Sequence, residues 1–189
     1  MDLPAPQTEG GPGLFETLKK RASVPGGDFS AAEVALDELS TVLWAASGLN
    51  RGSTGWTVPM AEGLEPYVRI YVASADGVFL YDWADHKLSQ ISEENIKAKI
   101  GGQSFVRKAH FILILTTDHD VLNKLKRGGD SKDEFADVLV GAMTQDIYLA
   151  AAALNLGTRY IHTMNKAAVK EALGLAEEDR PVALMLLGK

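Results

Sequence analysis

The sequence predicts an α+β domain in which helices flank a sheet that is at least partly antiparallel. Three observations carry that prediction. Two strand-like segments, Tyr67–Ala73 and Val78–Asp82, are separated by Asp76-Gly77, a strong hairpin signal. A near-continuous apolar run, Phe111–Thr116, reads as a central strand covered on both faces. A long amphipathic segment, Asp130–Leu156, reads as the longest helix. A hairpin beside helices packed on a sheet defines a layered α+β structure.

In chain order, Met1–Gly13 is rich in Pro and Gly and reads as a flexible or extended arm preceding a domain at residues 14–189. The arm has no basic start and no apolar core segment, so as given it does not read as a signal peptide. Leu14–Ala22 reads as a short helix, with Leu14, Phe15 and Leu18 on one side. Lys19, Lys20 and Arg21 lie at its C-terminal end, where cations oppose the helix dipole. Pro25-Gly26-Gly27 breaks the chain. Ser30-Ala31-Ala32-Glu33 has the capping-box pattern and predicts a helix running to about Ala46. Gly48 ends it. Asn50–Glu65 is a long loop of Gly, Ser, Thr and Pro, a kind of segment often kept for function.

After the hairpin, Asp85-His86 reads as a surface turn and Ser92–Lys99 as a short helix. In the long helix, Phe135, Val138, Leu139, Ala142, Met143, Ile147, Ala150 and Leu154 form a broad apolar face, with Gly157 as the stop. Thr158–His162 is a short strand, Lys166–Leu173 a helix closed by Gly174, and Val182–Leu187 a last apolar strand. No internal repeat is present.

Composition narrows the function classes. At 189 residues, the chain suits one domain with a sizeable core. With 46% hydrophobic and 23% charged residues, it argues against disorder. No apolar run approaches the roughly 20 residues of a membrane helix. A net charge of -6 disfavours a surface that grips nucleic acid as a whole, because phosphate neutralisation drives such binding. Cysteine is absent, which removes disulfides and Cys-ligated metal sites. A cytoplasmic location is the simplest expectation.

No Gly-x-Ser-x-Gly, His-Glu-x-x-His or phosphate-loop motif occurs. The four histidines are scattered. Asp118-His119-Asp120 fits the start of a helix with acidic residues in its first turn better than a metal site, since three successive residues rarely converge on one ion. Without a protein nucleophile or metal, the chemistry would have to come from a cofactor.

The stretch Leu39–Ala61 (LSTVLWAASGLNRGSTGWTVPMA) resembles the nitroreductase superfamily, in its short, SagB-like branch. Further matches keep the chain order. They are Lys20–Ser23, the hairpin strand Asp76–Asp82, the helix Thr144–Thr158 (TQDIYLAAAALNLGT), Val169–Leu175 and Ala183–Lys189. The resemblance implies a nitroreductase-like fold and a homodimer with FMN at the subunit interface. It implies hydride transfer from NAD(P)H to FMN and on to a small electrophilic acceptor such as a nitroaromatic or a quinone, with no nucleic-acid or membrane partner.

Carried over residue by residue, the resemblance matches Arg21 and Ser23, with Ala22 between them, to the phosphate-binding segment. Pro59, Met60, Ala61 and Gly63 match the loop that reaches the flavin ring from the partner subunit. Tyr160, Ile161 and His162 match the backbone edge facing flavin N5; the family often ends in Gly-Tyr-Pro and basic residues where this sequence stops at Gly188-Lys189, so Lys189 enters as a replacement cation. Alone, Arg21 reads as a solvated helix-end cation, Pro59 as a loop proline and His162 as a structural histidine.

Departures from the family pattern fall at Pro25, Trp56, Met60, Gly63, Glu65 and Asp146. Trp56 or Met60 could contact the isoalloxazine or fill its pocket; Lys19, Lys20, Arg51 and Lys189 could replace missing cations. Two further readings stay open: a nitroreductase-fold dimer without flavin chemistry, acting as a binding or structural protein, and an enzyme of this scaffold with another reaction, such as flavin breakdown or reductive dehalogenation.

Overall fold

The computed structural model describes residues 1–26, 28–53, 55–127 and 132–189. The helices are α1 (Leu14–Lys20), α2 (Leu36–Ser47), α3 (Lys97–Ile100), α4 (His119–Leu122), α5 (Lys132–Ala153) and α6 (Lys166–Leu173). The strands are β1 (Leu49–Arg51), β2 (Gly55–Trp56), β3 (Val68–Ser74), β4 (Gly77–Asp82), β5 (Lys87–Ser92), β6 (Phe111–Thr117), β7 (Gly157–Ile161) and β8 (Pro181–Gly188). Six strands form one sheet in the order β5-β4-β3-β6-β8-β7, and β1 pairs with β2 apart from it. Every strand pairing among the described residues is antiparallel.

The apolar runs become central strands for a simple reason. Along β6, Leu113 and Leu115 enter the core under α2 and α5, while Ile112 and Ile114 enter a second core under α3 and α6. β8 divides likewise: Met185 and Leu187 go to the first core, Leu184 and Leu186 to the second. A strand covered on both faces has no polar side to show, so strict alternation disappears.

The hairpin forms as predicted, with a shift of detail. Ser74 pairs with Gly77, so Ala75-Asp76 is the turn and Gly77 already belongs to β4. Gly77 has φ +126°, and a Cβ there would lie 2.2 Å from the Ser92 carbonyl oxygen. This position therefore requires glycine.

Three local predictions are corrected. The helix expected from Ser30 starts at Leu36. The Ser30 hydroxyl accepts from the Ala32 N–H in a local turn, and Val34 N–H is drawn 2.6 Å to His110 Nδ1. Glu38, not Glu33, reaches back to the N-terminal N–H, accepting from Ala35 at 2.7 Å. Between Asp82 and Lys97, the chain makes edge strand β5 before the short α3; only Leu88 is buried in that strand, so no alternation announced it. The apolar face of α5 buries Ala136, Leu139, Val140, Met143, Ile147 and Ala151, whereas Val138 is 74% exposed. The expected start of this helix at Asp130 lies outside the described residues. At its other end the left-handed residue is Asn155, φ +57°, and Gly157 opens β7.

The first residues lie along β5 and α2. Leu88 N–H donates to the Met1 carbonyl, and the Gln7 N–H donates to Thr41 Oγ1 at 3.0 Å. A partly buried relay fixes Pro4: Ser40 Oγ donates to its carbonyl at 2.5 Å and lies 2.7 Å from His86 Nε2, while Tyr81 Oη is 2.9 Å from His86 Nδ1. An Nε2–H tautomer satisfies every group in this chain, with Tyr81 donating to Nδ1. Burial holds the His86 pKa below its ordinary value, despite the opposing pull of the Pro4 segment.

Candidate functional site

The edge strand β7 and helix α5 enclose a trench. Two features bring the N-terminal segment into it. Arg21 leaves the helical conformation at the end of α1, its N–H donating to the Thr17 carbonyl at 2.8 Å. The chain then runs to β7, where Val24 N–H donates to the Thr158 carbonyl at 3.0 Å and Arg159 Nη1 donates to the Val24 carbonyl at 2.8 Å. Gly157 permits this approach: a Cβ there would meet Val24 Cγ2 at 2.7 Å.

Tyr148 of α5 stands at the centre. Its hydroxyl is 2.7 Å from Ser23 Oγ and accepts from the Tyr160 N–H at 2.8 Å. The Arg21 guanidinium lies over the Tyr148 ring, 5.2 Å from its centroid. Arg21, Ser23 and Tyr160, drawn from distant parts of the sequence, thus converge on one side chain. Among the described residues Arg21 makes no ion pair, whereas Lys20 pairs with Glu16 at 2.8 Å. A guanidinium without an acidic partner, beside a hydroxyl, suits an anionic oxygen group.

Two cavities flank Tyr148. One, of about 240 Å³, is lined by Lys20, Ala22, Ser23, Tyr148 and Thr158. The other, of about 430 Å³, is lined by Gly141, Thr144, Tyr160, His162, Lys166 and Arg180. Ile161 turns into the second core, so Tyr160 and His162 face the cavity. Tyr160 Oη and His162 Nδ1 are 3.4 Å apart. Burial, reinforced by Asp137, raises the Tyr160 phenol pKa, so this hydroxyl stays protonated at neutral pH. Arg180 is held by Asp137 at 2.7 Å and by Asp133 at 3.1 Å.

The other sequence-derived candidates lie elsewhere. Pro59, Met60, Ala61 and Gly63 belong to the β2–β3 connection and line neither trench cavity. That loop is pinned by Glu62, φ +54°, whose carboxylate accepts from the Lys126 and Arg127 N–H groups at 3.1 and 2.9 Å. The Ala61 N–H reaches Tyr67 Oη at 3.4 Å, and Met60 packs on the main core. Trp56 is buried edge-on against Trp83, with ring centroids 6.0 Å apart, so it fills the interior. Lys189 pairs through Nζ with Glu38 at 3.0 Å, at the start of α2 and away from the trench. His119 lies 3.1 Å from Asp179 and its N–H donates to the same carboxylate, so the Asp118–Asp120 segment serves a helix start. The described residues contain no cluster of metal ligands.

Sequence reasoning missed Tyr148, Lys166 and Arg180. Tyr148 lies inside the matched helix segment, but a tyrosine on an apolar helix face signals packing first. Its hydroxyl acquires a role only when β7 and the N-terminal segment are placed beside it.

An antiparallel six-stranded sheet covered by helices on both faces, with a cation and a hydroxyl beside one edge strand, defines an α+β scaffold. A family model described as the Nitroreductase family matches residues 18–189, and the chain belongs to that family. A protein of Methanocaldococcus jannaschii named as a candidate nitroreductase is 29% identical over 185 residues, covering 93% of this chain and 90% of its own. The crystal structure of a protein from Ralstonia eutropha described in the same terms matches with a TM-score of 0.89 at 29% identity, over 99% of this chain and 87% of the other. The NADPH:FMN oxidoreductase from Vibrio harveyi, complexed with NAD+, shares the fold at 21% identity, with a TM-score of 0.62 over 92% of this chain and 67% of its own. The nitroreductase-like fold is therefore shown, and the family supports an oxidoreductase.

Proposed function

We propose that this protein is an FMN-dependent NAD(P)H oxidoreductase that works as a homodimer and passes hydride to a small electrophilic acceptor such as a nitroaromatic or a quinone. One observation carries the reading: Arg21, Ser23 and the Tyr160 N–H on the edge of β7 converge on Tyr148, between two cavities. The residues fit the cofactor. An unpaired guanidinium (among the described residues) and a hydroxyl suit its phosphate, and a strand edge beside a cavity of about 430 Å³ suits its ring. Arg21 and Ser23 would hold the phosphate, with Ala22 lining that end. Tyr160, Ile161 and His162 would border the ring. Bound FMN supplies the hydride chemistry, so this chain's groups bind, orient and exclude water.

Pro59, Met60, Ala61 and Gly63 lie off the trench within one chain, and the proposal has them reach the ring of a second subunit. Exposed Leu14, Phe15 and Leu18 on α1 and Val138 on α5 are apolar surface for that second copy to cover. No helix among the described residues is long and apolar enough to cross a membrane, and a cytoplasmic location remains part of the proposal. After incubation with FMN and with oxygen excluded, the protein should oxidise NADPH or NADH beyond one equivalent per bound FMN when a quinone or a nitroaromatic is present. A flavin-loaded protein inert toward both classes would refute the acceptor assignment. The Tyr148 hydroxyl, which already satisfies Ser23 and the Tyr160 N–H, favours a second reading: a dimer of this fold without flavin redox activity. A protein that takes up no FMN would select it.

A further inference from the structure

Tyr148 divides the trench. The larger cavity runs beside Gly141 and Thr144 of α5 and Tyr160 and His162 at the end of β7. The smaller runs beside Tyr148, Ala152 and Leu156, next to Gly157 and Thr158 at the start of β7. The two spaces therefore follow one line between the same helix and the same strand. The tyrosine crosses that line to reach the β7 backbone. β7 ends the sheet, so the Tyr160 N–H points away from any neighbouring strand and would otherwise need water or a ligand. The same phenol holds the Ser23 hydroxyl, 125 residues away, and its ring lies under the Arg21 guanidinium. Two polar groups that a ligand would use, the Ser23 hydroxyl and the Tyr160 N–H, are hydrogen-bonded by one side chain, whose ring also holds the Arg21 guanidinium above it.

We propose that Tyr148 is a placeholder that sets ligand specificity in this trench. It yields Ser23, Arg21 and the Tyr160 N–H only to a ligand long enough to engage both cavities at once, a planar heterocycle carrying a phosphate on a spacer. The inference rests on the cofactor reading above. Its physical basis is an exchange of partners. Turning the phenol away breaks two hydrogen bonds and a cation–π contact, and a ligand recovers these only by supplying acceptors at both ends. A small anion or an isolated ring fits one cavity and leaves the tyrosine in place. Tyr148 is a positioning and specificity residue here, with no part in hydride chemistry.

The test uses Tyr148→Phe, which keeps the ring and removes both hydrogen bonds, with circular dichroism to establish that it folds. FMN, inorganic phosphate and lumiflavin, a flavin ring without the phosphate chain, are titrated into both proteins. In parallel, ¹⁹F NMR follows fluorotyrosine-labelled wild type, the Tyr148 signal being the one missing from the variant. The expected result is FMN binding tightened about three- to tenfold in Tyr148→Phe. In wild type, phosphate and lumiflavin should leave the Tyr148 signal where it is, and that signal should shift with FMN alone. FMN binding to the variant but not to wild type would also support the proposal. FMN binding with an unmoved Tyr148 signal, or binding unchanged or weakened in Tyr148→Phe, overturns the placeholder and leaves the cofactor reading standing. Failure of both proteins to bind FMN overturns the two together.

Discussion

Replacing Asp146 with Asn should stabilise the protein at neutral pH and lose that advantage in acid. Asp146 lines a cavity of about 380 Å³ beside Trp44, Leu149, Ala150 and the N-terminal segment Gln7–Pro12. No ion pair reaches it among the described residues. Burial alone pushes its carboxyl from 3.8 up to about 6. A difference of roughly two units would be worth about 3 kcal/mol for a fully dehydrated carboxylate. This side chain is only half-buried at an open cavity, so solvent screening reduces the figure to about 1 kcal/mol.

The sign follows from proton binding. The folded-state value lies above the unfolded one, so the folded protein binds more protons between about 6 and 3.8, and the ionised form is a burden above that window. Asp146→Asn should raise the melting temperature at pH 7.5 by about 2–4 °C at matched protein concentration. The gap should shrink steadily as pH falls from 6.5 to 4.5. A variant no more stable than wild type at pH 7.5, or a gap that ignores pH, would refute the reasoning.

Protonating His86 would place a proton against the hydrogen that Tyr81 donates, and its folded pKa is depressed by burial. The His86 contribution to stability should therefore fall as pH drops below about 6.5, against the opposite Asp146 contribution, and the difference between wild type and His86→Asn in urea unfolding series should show it. His110 is depressed by burial as well and contributes a residual slope of the same sign. Gly77→Ala should cost at least about 1–3 kcal/mol, read by chemical denaturation, because φ is +126° and the new Cβ would overlap the Ser92 carbonyl. A loss below 0.5 kcal/mol (about the size of an ordinary surface change) would mean that the turn relaxes freely. Arg21→Ala should weaken FMN binding by roughly ten- to a hundredfold, the worth of one charged hydrogen bond, in a fluorescence titration; unchanged binding would remove Arg21 from the site.

The fold was largely legible because its strongest elements carry their own signals. Phe111–Thr117 and Pro181–Gly188 are apolar because both faces are covered, and Lys166–Leu173 announces its end at Gly174, left-handed at φ +60°. β5 was not legible, since an edge strand with one buried side chain has no periodicity to detect. The start of α2 was misplaced because Ser30 and Glu33 form a plausible capping pair, whereas the backbone there is claimed by His110 and Lys189. The site was legible only in part. Arg21, Ser23 and Tyr160 were reached through resemblance, and no local pattern showed that they meet. Tyr148 remained hidden because its function lies in contacts with residues 125 positions before it and 12 after it.

FMN held in the β7 trench would colour the protein, so the decisive measurement is the absorbance spectrum of the freshly purified protein. The protein should be yellow with flavin's visible bands, release about one FMN per chain on denaturation and regain the colour when FMN is returned. A colourless protein that leaves added FMN unbound in equilibrium dialysis would contradict it.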